Sequence, residues 1–139
     1  MIDKFDGEYR FLSNFYSSVM KYKGIIYMSA EGAYQAQKCE DEIAKELFMF
    51  LNAAEAKRLG RNVKMREDWD IVKDDIMKEI VFEKFSQHPF LKEKLIATGD
   101  QELVEGNDWN DYYWGVCKGK GRNKLGEILP SEFLRLQAK

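Results

Sequence analysis

The residues of this 139-residue chain that are best suited to chemistry lie in residues 29–38. If Ser29 caps a helix, Glu31, Gln35 and Lys38 fall at positions i, i+4 and i+7, and therefore on one face of that helix. A carboxylate there can activate water or stabilise a cation, and an amine can pair with an anion or attack an aldehyde. The alternative interpretation is a solvated helix face with an intrahelical polar pair.

A second group of polar and aromatic side chains lies in residues 106–121. This stretch contains Asp108, Asp111 and Trp114, followed directly by Gly115. Aromatic rings can stack on a base while a carboxylate reaches the sugar, so the pattern is typical of a nucleoside site. The alternative is a loop whose tryptophans pack into the core and whose aspartates form turns.

Two further segments suit ligand binding less specifically. Residues 118–124 alternate glycine with basic side chains, which favours an anion such as phosphate, but the pattern matches neither a Walker motif nor a dinucleotide motif. A solvated basic loop is the alternative. Residues 10–15 place the polar pair Ser13 and Asn14 inside an aromatic segment, where either a ligand or a turn can satisfy them.

Composition excludes several classes of protein. His88 is the only histidine, and Cys39 and Cys117 are far apart, so we expect neither a metal site nor a disulfide framework. A formal net charge of -2 argues against a protein that coats nucleic acid. Charged residues interrupt every apolar run, and the N-terminus has no signal-peptide pattern, so we expect a cytoplasmic protein with no membrane partner.

The elements that must position these residues begin with strands. Residues 8–27 are rich in Tyr, Phe, Val and Ile, and Gly24 predicts the turn of a short antiparallel hairpin. Helices are predicted afterwards, which indicates an α+β class: a mostly helical single domain over residues 1–139 with a small N-terminal antiparallel sheet.

Start and stop signals predict the individual helices. Asp41 can cap a helix with an apolar stripe formed by Ile43, Leu47, Phe48 and Leu51. Asn52 and Glu55 suggest a capping box, with Gly60 as the stop. Longer helical patterns follow in residues 68–85 and 89–97, and a last one in residues 123–136, which Pro130 is expected to break or kink. Residues 103–104 suggest one more strand.

Taken together, the chain resembles the NADAR family, also called YbiA-like. The stretches that carry the resemblance keep one order along the chain: residues 7–16, 29–31, 33–38, 55–61, 66–69, 84–89, 95–100, 103–105, 114–115 and 121–126. The family pattern often has a histidine directly after the glutamate that corresponds to Glu31, whereas this chain has Gly32.

The resemblance implies an N-glycosidase that needs no cofactor. Its substrate would be a ribose joined to an exocyclic amine, with ADP-ribose on guanine favoured over the ribosylamino-pyrimidine phosphates of riboflavin biosynthesis. Glu31 and Asp111 are the expected catalytic carboxylates, and Asp108 is the alternative to Asp111. Which carboxylate is the acid and which is the base stays open. Lys38 is expected either to form a Schiff base with an opened ribose or to pair with phosphate.

The resemblance also implies a set of binding residues: Arg10, Ser13, Asn14, Phe15, Gln35, Trp69, Trp114, Gly115 and Asn123. For Trp69 the alternative is a core position, because it also begins an apolar helix stripe. The expected partner is a small nucleotide sugar or an ADP-ribosylated guanine in nucleic acid. Two other classes of protein stay open. One is a module that binds ADP-ribose or a nucleotide without cleaving it, and the other is an interaction module without a ligand.

Overall fold

The computed structural model describes the backbone of residues 1–137 and the side chains of residues 1–132 and 135–137. The chain divides into two compact units. A central unit contains residues 14–87, and a terminal unit combines residues 1–13 with those from residue 88 onward. The architecture is mostly helical with a small antiparallel sheet, so the predicted α+β class is confirmed.

The central unit begins with the predicted hairpin. Strand β1 (Ser17–Tyr22) pairs antiparallel with β2 (Ile25–Ser29). Lys23 and Gly24 form the two-residue turn with φ values of 48° and 86°, and this left-handed pair matches the twist of the strands. Residues 7–12, which we expected within the strand-rich segment, instead form a 3-10 helix of the terminal unit.

Three α-helices complete the central unit: α1 (Ala30–Ala36), α2 (Ala53–Gly60) and α3 (Trp69–Gln87). All seven residues of α1 are buried. Ala30, Ala33 and Ala36 are fully enclosed, and because their side chains are small, neighbouring elements can approach the helix backbone closely. Helix α1 is thus the inner helix of this unit, and its polar side chains are held away from bulk water.

The helix predicted after Asp41 is wrong in type. Residues 43–48 form a 3-10 helix, in which Phe48 is fully buried while Ile43 and Leu47 are 74% and 66% exposed. Successive residues of a 3-10 helix are rotated by about 120°, so side chains at α-helical spacing no longer share one face. The predicted apolar stripe is therefore split between the core and the surface.

The predicted capping box of α2 is confirmed. Asn52 Oδ1 accepts the Glu55 N–H at 2.8 Å, and Glu55 Oε1 accepts the Asn52 N–H at 2.9 Å. We expect Asn52→Ala to lower the free energy of unfolding by about 1 kcal/mol, because one donor of the helix start loses its partner. Urea denaturation measures this loss. Glu55→Gln keeps both bonds and serves as the control, and equal losses in the two variants would contradict the prediction.

The terminal unit contains α4 (Pro89–Ala97), α5 (Lys124–Gln137) and two short parallel strands, β3 (Gly106–Asn107) and β4 (Val116–Cys117). The strand suggested at residues 103–104 is reduced to a single bridge between Leu103 and Ile2. Helix α4 begins and ends within a residue of its predicted bounds.

Pro130 does not break the last helix, so the expected break is wrong, while a kink at this position stays a prediction. Helix α5 runs through it, although a proline has no N–H to donate to the carbonyl four residues earlier. Leu125, Ile128 and Leu129 are buried, and the packing of this apolar face outweighs the lost hydrogen bond. No helix within residues 1–137 is long and apolar enough to cross a membrane.

Candidate active site

Glu31 lies in the first turn of α1, where two contacts fix the backbone. Ser29 caps the helix by accepting the Gly32 N–H at 3.1 Å, as the sequence predicted. The Glu31 N–H donates to the Asn14 carbonyl at 3.0 Å. The Glu31 side chain is only 8% exposed. A carboxylate this buried needs polar partners, because desolvation of the charged form is costly.

Gln35 supplies one of these partners. Its Nε2 donates to Glu31 Oε1 at 2.8 Å, one helical turn away. Since only the NH2 group of the amide can donate, Gln35 Oε1 must then point away from the carboxylate. That oxygen is buried, accepts no hydrogen bond from the described residues, and faces Gly60 of α2. A buried acceptor without a partner costs about 1–3 kcal/mol, so this orientation is maintained at the expense of stability.

The polar strip of α1 is therefore not a solvated helix face. The alternative interpretation was a solvated face with an intrahelical polar pair. Gln35 and Glu31 do form such a pair, but both side chains are buried. A buried carboxylate in α1 and the half-buried Lys38 that follows the helix form the kind of site in which charge interactions are strong, because little water screens them.

Lys38 lies two residues beyond the end of α1 and not on the helix, so the expected common helix face holds only for Glu31 and Gln35. Backbone contacts hold Lys38 at this position. Its N–H donates to the Gln35 carbonyl at 3.2 Å, and its own carbonyl accepts the Arg66 N–H at 2.9 Å. The Lys38 Nζ lies 5.9 Å from the centroid of the Tyr34 ring. These hydrogen bonds anchor the backbone of Lys38, and the residue as a whole is half-buried.

The surroundings of Lys38 favour its neutral form. Burial lowers the pKa of the Lys38 amine, and the nearby Glu31 carboxylate opposes that effect. Three neighbouring cations lower the pKa further: Lys57, Arg61 and Lys73. In general, a lysine of lowered pKa is a better nucleophile near neutral pH, and a cluster of cations favours an anion such as phosphate.

The other predicted site residues of the central unit differ in accessibility. Trp69 is 5% exposed and packs against Tyr34 with ring centroids 5.2 Å apart, as its core alternative predicts. Phe15 is 43% exposed, and the Lys57 Nζ lies 5.5 Å from its ring. Asn14 is buried, with its Nδ2 on Met77 Sδ at 3.3 Å. Among these, Phe15 offers the accessible aromatic face, and binding by Trp69 stays a prediction.

In the terminal unit, Asp111 organises the loop between β3 and β4. Its Oδ1 accepts the N–H groups of Tyr113 at 3.2 Å and Trp114 at 2.9 Å, which is the turn-forming role of the alternative interpretation. The Trp114 ring contacts Tyr113 edge-on with centroids 4.8 Å apart. Asp108 is exposed. A catalytic role for either carboxylate stays a prediction.

Asn123 and Gly115 form a second polar cluster in the same unit. Asn123 Oδ1 accepts the Glu105 N–H at 3.0 Å and its Nδ2 donates to the Leu103 carbonyl at 2.9 Å, so the amide joins two chain segments. A Cβ at position 115 would overlap the Glu105 carboxylate and lie 2.7 Å from the Asn107 amide. Glycine is therefore required at position 115 by packing.

The remaining predicted positions lie at the surface of the terminal unit. Arg10 is exposed and Ser13 is half-buried at the end of the 3-10 helix. In the basic loop, Lys118 and Lys120 are exposed, while Arg122 lies 5.4 Å from the Tyr113 ring. The described residues contain no group of three or more His, Cys, Asp or Glu side chains that could hold a metal ion.

Sequence reasoning missed the role of Gly60. It predicted Gly60 as a helix stop, whereas the residue that caps α2 is Arg61, with a right-handed φ of -75°. Gly60 instead makes room for the Gln35 amide: a Cβ there would overlap Oε1 and lie 2.9 Å from Cδ. Gly60 lies in residues 55–61, one of the stretches that carry the family resemblance, and this was the signal that the position matters. The residues next to Gly60 in the sequence do not indicate that Gln35 is its contact partner.

Comparison with known proteins identifies the family of this chain. A family model described as the NADAR domain matches residues 2–132. The chain belongs to the NADAR domain family. An N-glycosidase of Nostoc punctiforme is 38% identical over 130 residues, which cover 88% of this chain and 83% of that protein. A riboflavin biosynthesis protein of Vibrio vulnificus is 40% identical over 128 residues, which cover 89% of this chain but 35% of that protein.

A solved structure extends the likeness to the fold of this NADAR domain. The NMR structure of the Escherichia coli protein YbiA matches with a TM-score of 0.87 and 33% identity, covering 99% of this chain and 88% of that chain. At Gly32, where we expected a histidine in relatives, a Cβ would make only ordinary contacts of 3.6 and 3.7 Å. Contacts at the Cβ position thus do not require glycine there.

Proposed function

We propose that this NADAR domain hydrolyses the bond between a ribose and an exocyclic amine, and that its substrate is ADP-ribose attached to guanine. The enzyme class follows that of its N-glycosidase relatives, which are hydrolases of N-glycosyl bonds. One observation carries the proposed bond cleavage: a buried carboxylate, Glu31, acts electrostatically on a half-buried lysine of lowered pKa, Lys38.

The chemistry suits these two groups. An N-riboside opens to an imine when its ring oxygen takes up a proton, and the Lys38 amine can then add to C1′. The bond from C1′ to the substrate nitrogen then breaks. This nitrogen takes up one proton and leaves as the substrate's free amine, which leaves C1′ joined to Lys38 as an imine. Water hydrolyses the lysine imine to the free sugar and restores Lys38. We assign the proton transfers of these steps to Glu31.

The neighbouring groups support binding of a phosphorylated riboside. Lys57, Arg61 and Lys73 act electrostatically on Lys38, and this cluster complements phosphate or diphosphate. The exposed ring of Phe15 beside Lys57 offers a face for stacking on a base. A role of Asp111 as a second carboxylate stays a prediction.

A second substrate class is favoured by the name of a relative. The Vibrio vulnificus protein is named for riboflavin biosynthesis, although this chain spans about a third of its length. A ribosylamino-pyrimidine phosphate has the same ribose and exocyclic amine, so the same two groups would serve it. The difference lies in the leaving group and in the number of phosphates.

A direct comparison of substrates tests the proposal. The protein is incubated with a guanine-ADP-ribosylated oligonucleotide and, separately, with the ribosylamino-pyrimidine phosphate, and the released sugar is measured. We expect kcat/KM to be at least tenfold higher for the first. The reverse preference would replace ADP-ribosyl guanine with the riboflavin precursor. Binding of ADP-ribose in calorimetry without turnover of either substrate would contradict an enzyme and indicate a non-catalytic binding module.

A further inference from the structure

The contact between α1 and α2 assigns a function to two residues that are not expected to touch the reacting atoms. Gln35 is 4% exposed, and its amide spans the space between the Glu31 carboxylate and the backbone of Gly60. On one side it donates a 2.8 Å hydrogen bond. On the other, its oxygen is buried without a donor from the described residues. An amide held this way is hydrogen-bonded to the carboxylate and offers little surface to a substrate.

We propose that Gln35 and Gly60 act together as positioning residues: Gly60 provides the space that keeps the Gln35 amide on Glu31, and this contact orients Glu31 and favours its ionised form. The role rests on the proposed function of Glu31. It replaces the expectation that Gln35 binds substrate.

The absence of a side chain at position 60 is what makes this contact possible. A Cβ there would overlap Gln35 Oε1, lie 2.9 Å from Cδ and approach Cβ to 3.2 Å. The amide has to rotate or withdraw to relieve this overlap, because it lies at the end of a flexible side chain. Either movement takes Nε2 away from Glu31, since Nε2 and Oε1 are fixed in one plane.

Gly60→Ala is therefore expected to act on Glu31 without touching it. The ionised carboxylate loses a hydrogen-bond donor, so its protonated form is favoured. The limb of the pH–rate profile that reports Glu31 should move to higher pH, and kcat should fall by up to about 100-fold while KM changes little. The charged groups around the neighbouring Lys38, namely Lys57, Arg61 and Lys73, are the same in each variant.

A double-mutant cycle isolates the mechanism. In the Gln35→Ala background no amide remains to be displaced, so adding Gly60→Ala should change kcat less than twofold. Additive losses would mean that position 60 acts by another route and would overturn the proposal. Ala54→Ser, at an exposed position of the same helix, is the control and should leave kcat unchanged.

Two further measurements keep the test decisive. If Gly60→Ala fails to fold, Gln35→Met removes the donor without crowding α2, and it should shift the same limb in the same direction. An unshifted profile in Gln35→Met would overturn the proposal. By NMR, the Gln35 side-chain amide of the native protein should follow the titration of the Glu31 carboxyl and lose this response in Gly60→Ala.

The NMR titration separates the two proposals. If the native protein cleaves neither substrate, the proposed function fails, yet a coupled titration of Gln35 and Glu31 that Gly60→Ala abolishes still supports the positioning role. If the native protein is active but the Gln35 amide does not respond to Glu31, the positioning role is wrong and the proposed function stands.

Discussion

Replacement of Glu31 by glutamine is expected to lower kcat by about 10²- to 10⁴-fold, the usual range for loss of a general acid or base. Glutamine keeps the size of the side chain and can still accept the hydrogen bond of Gln35, so the fold of α1 should persist. It cannot exchange a proton with the sugar, with water or with the leaving amine. Ligand affinity should stay within about threefold, because binding by the cations around Lys38 does not need a proton carrier.

Single-turnover kinetics and calorimetry measure the two parts of this prediction. Glu46→Gln is the matched control, since Glu46 is an exposed glutamate of the same unit with no contact to α1 that the proposal uses. Full activity of Glu31→Gln would remove Glu31 from the mechanism. Loss of affinity together with activity would assign it to substrate binding.

Lys38→Arg is expected to abolish a covalent intermediate and lower kcat by at least about 100-fold, comparable to other losses of a chemical group. Arginine keeps the positive charge and can still pair with phosphate, but its guanidinium is protonated at all relevant pH values and does not form an imine. If Lys38 only paired with phosphate, this variant would keep most of the activity.

Borohydride trapping during turnover detects the intermediate, because it reduces an imine to a stable amine whose added mass can be located on Lys38. Lys78→Arg, at an exposed position of the same unit, serves as the control and should still give the adduct. Turnover at the native rate with no adduct on Lys38 would exclude the covalent route.

The pH dependence of the reaction follows from the same lysine. Below its pKa the amine is protonated and cannot attack, so the rate should rise with pH through that pKa. Burial lowers the pKa of Lys38 below its ordinary value of 10.5. The rise should therefore occur at lower pH than it would for a solvent-exposed lysine.

Several elements could be predicted because their signals are local. The turn at Gly24, the cap at Ser29 and the box formed by Asn52 and Glu55 each depend on residues within a few positions of one another. Such signals place the start of α1, and with it the shared face of Glu31 and Gln35. The sequence by itself thus determined which polar side chains α1 carries on that face.

Other features depended on contacts between distant segments. The 3-10 helix of residues 43–48 splits a stripe whose spacing is α-helical, and α5 continues through Pro130 because its apolar face is buried. No local sequence pattern predicts the 3-10 helix or the continuity of α5, since both depend on the residues that pack against these two segments.

The burial of the polar strip was likewise a tertiary outcome. The spacing of Glu31, Gln35 and Lys38 fits a solvated surface as well as a site, and only the packing around α1 excludes the first. Gly60 is 25 positions from the amide it accommodates, so its sequence neighbours suggest no more than a helix end. Local hydrogen bonds determined where α1 begins and hence the spacing of Glu31 and Gln35, whereas tertiary packing decided their exposure and lowered the pKa of Lys38, because both effects depend on neighbours that are remote in the sequence.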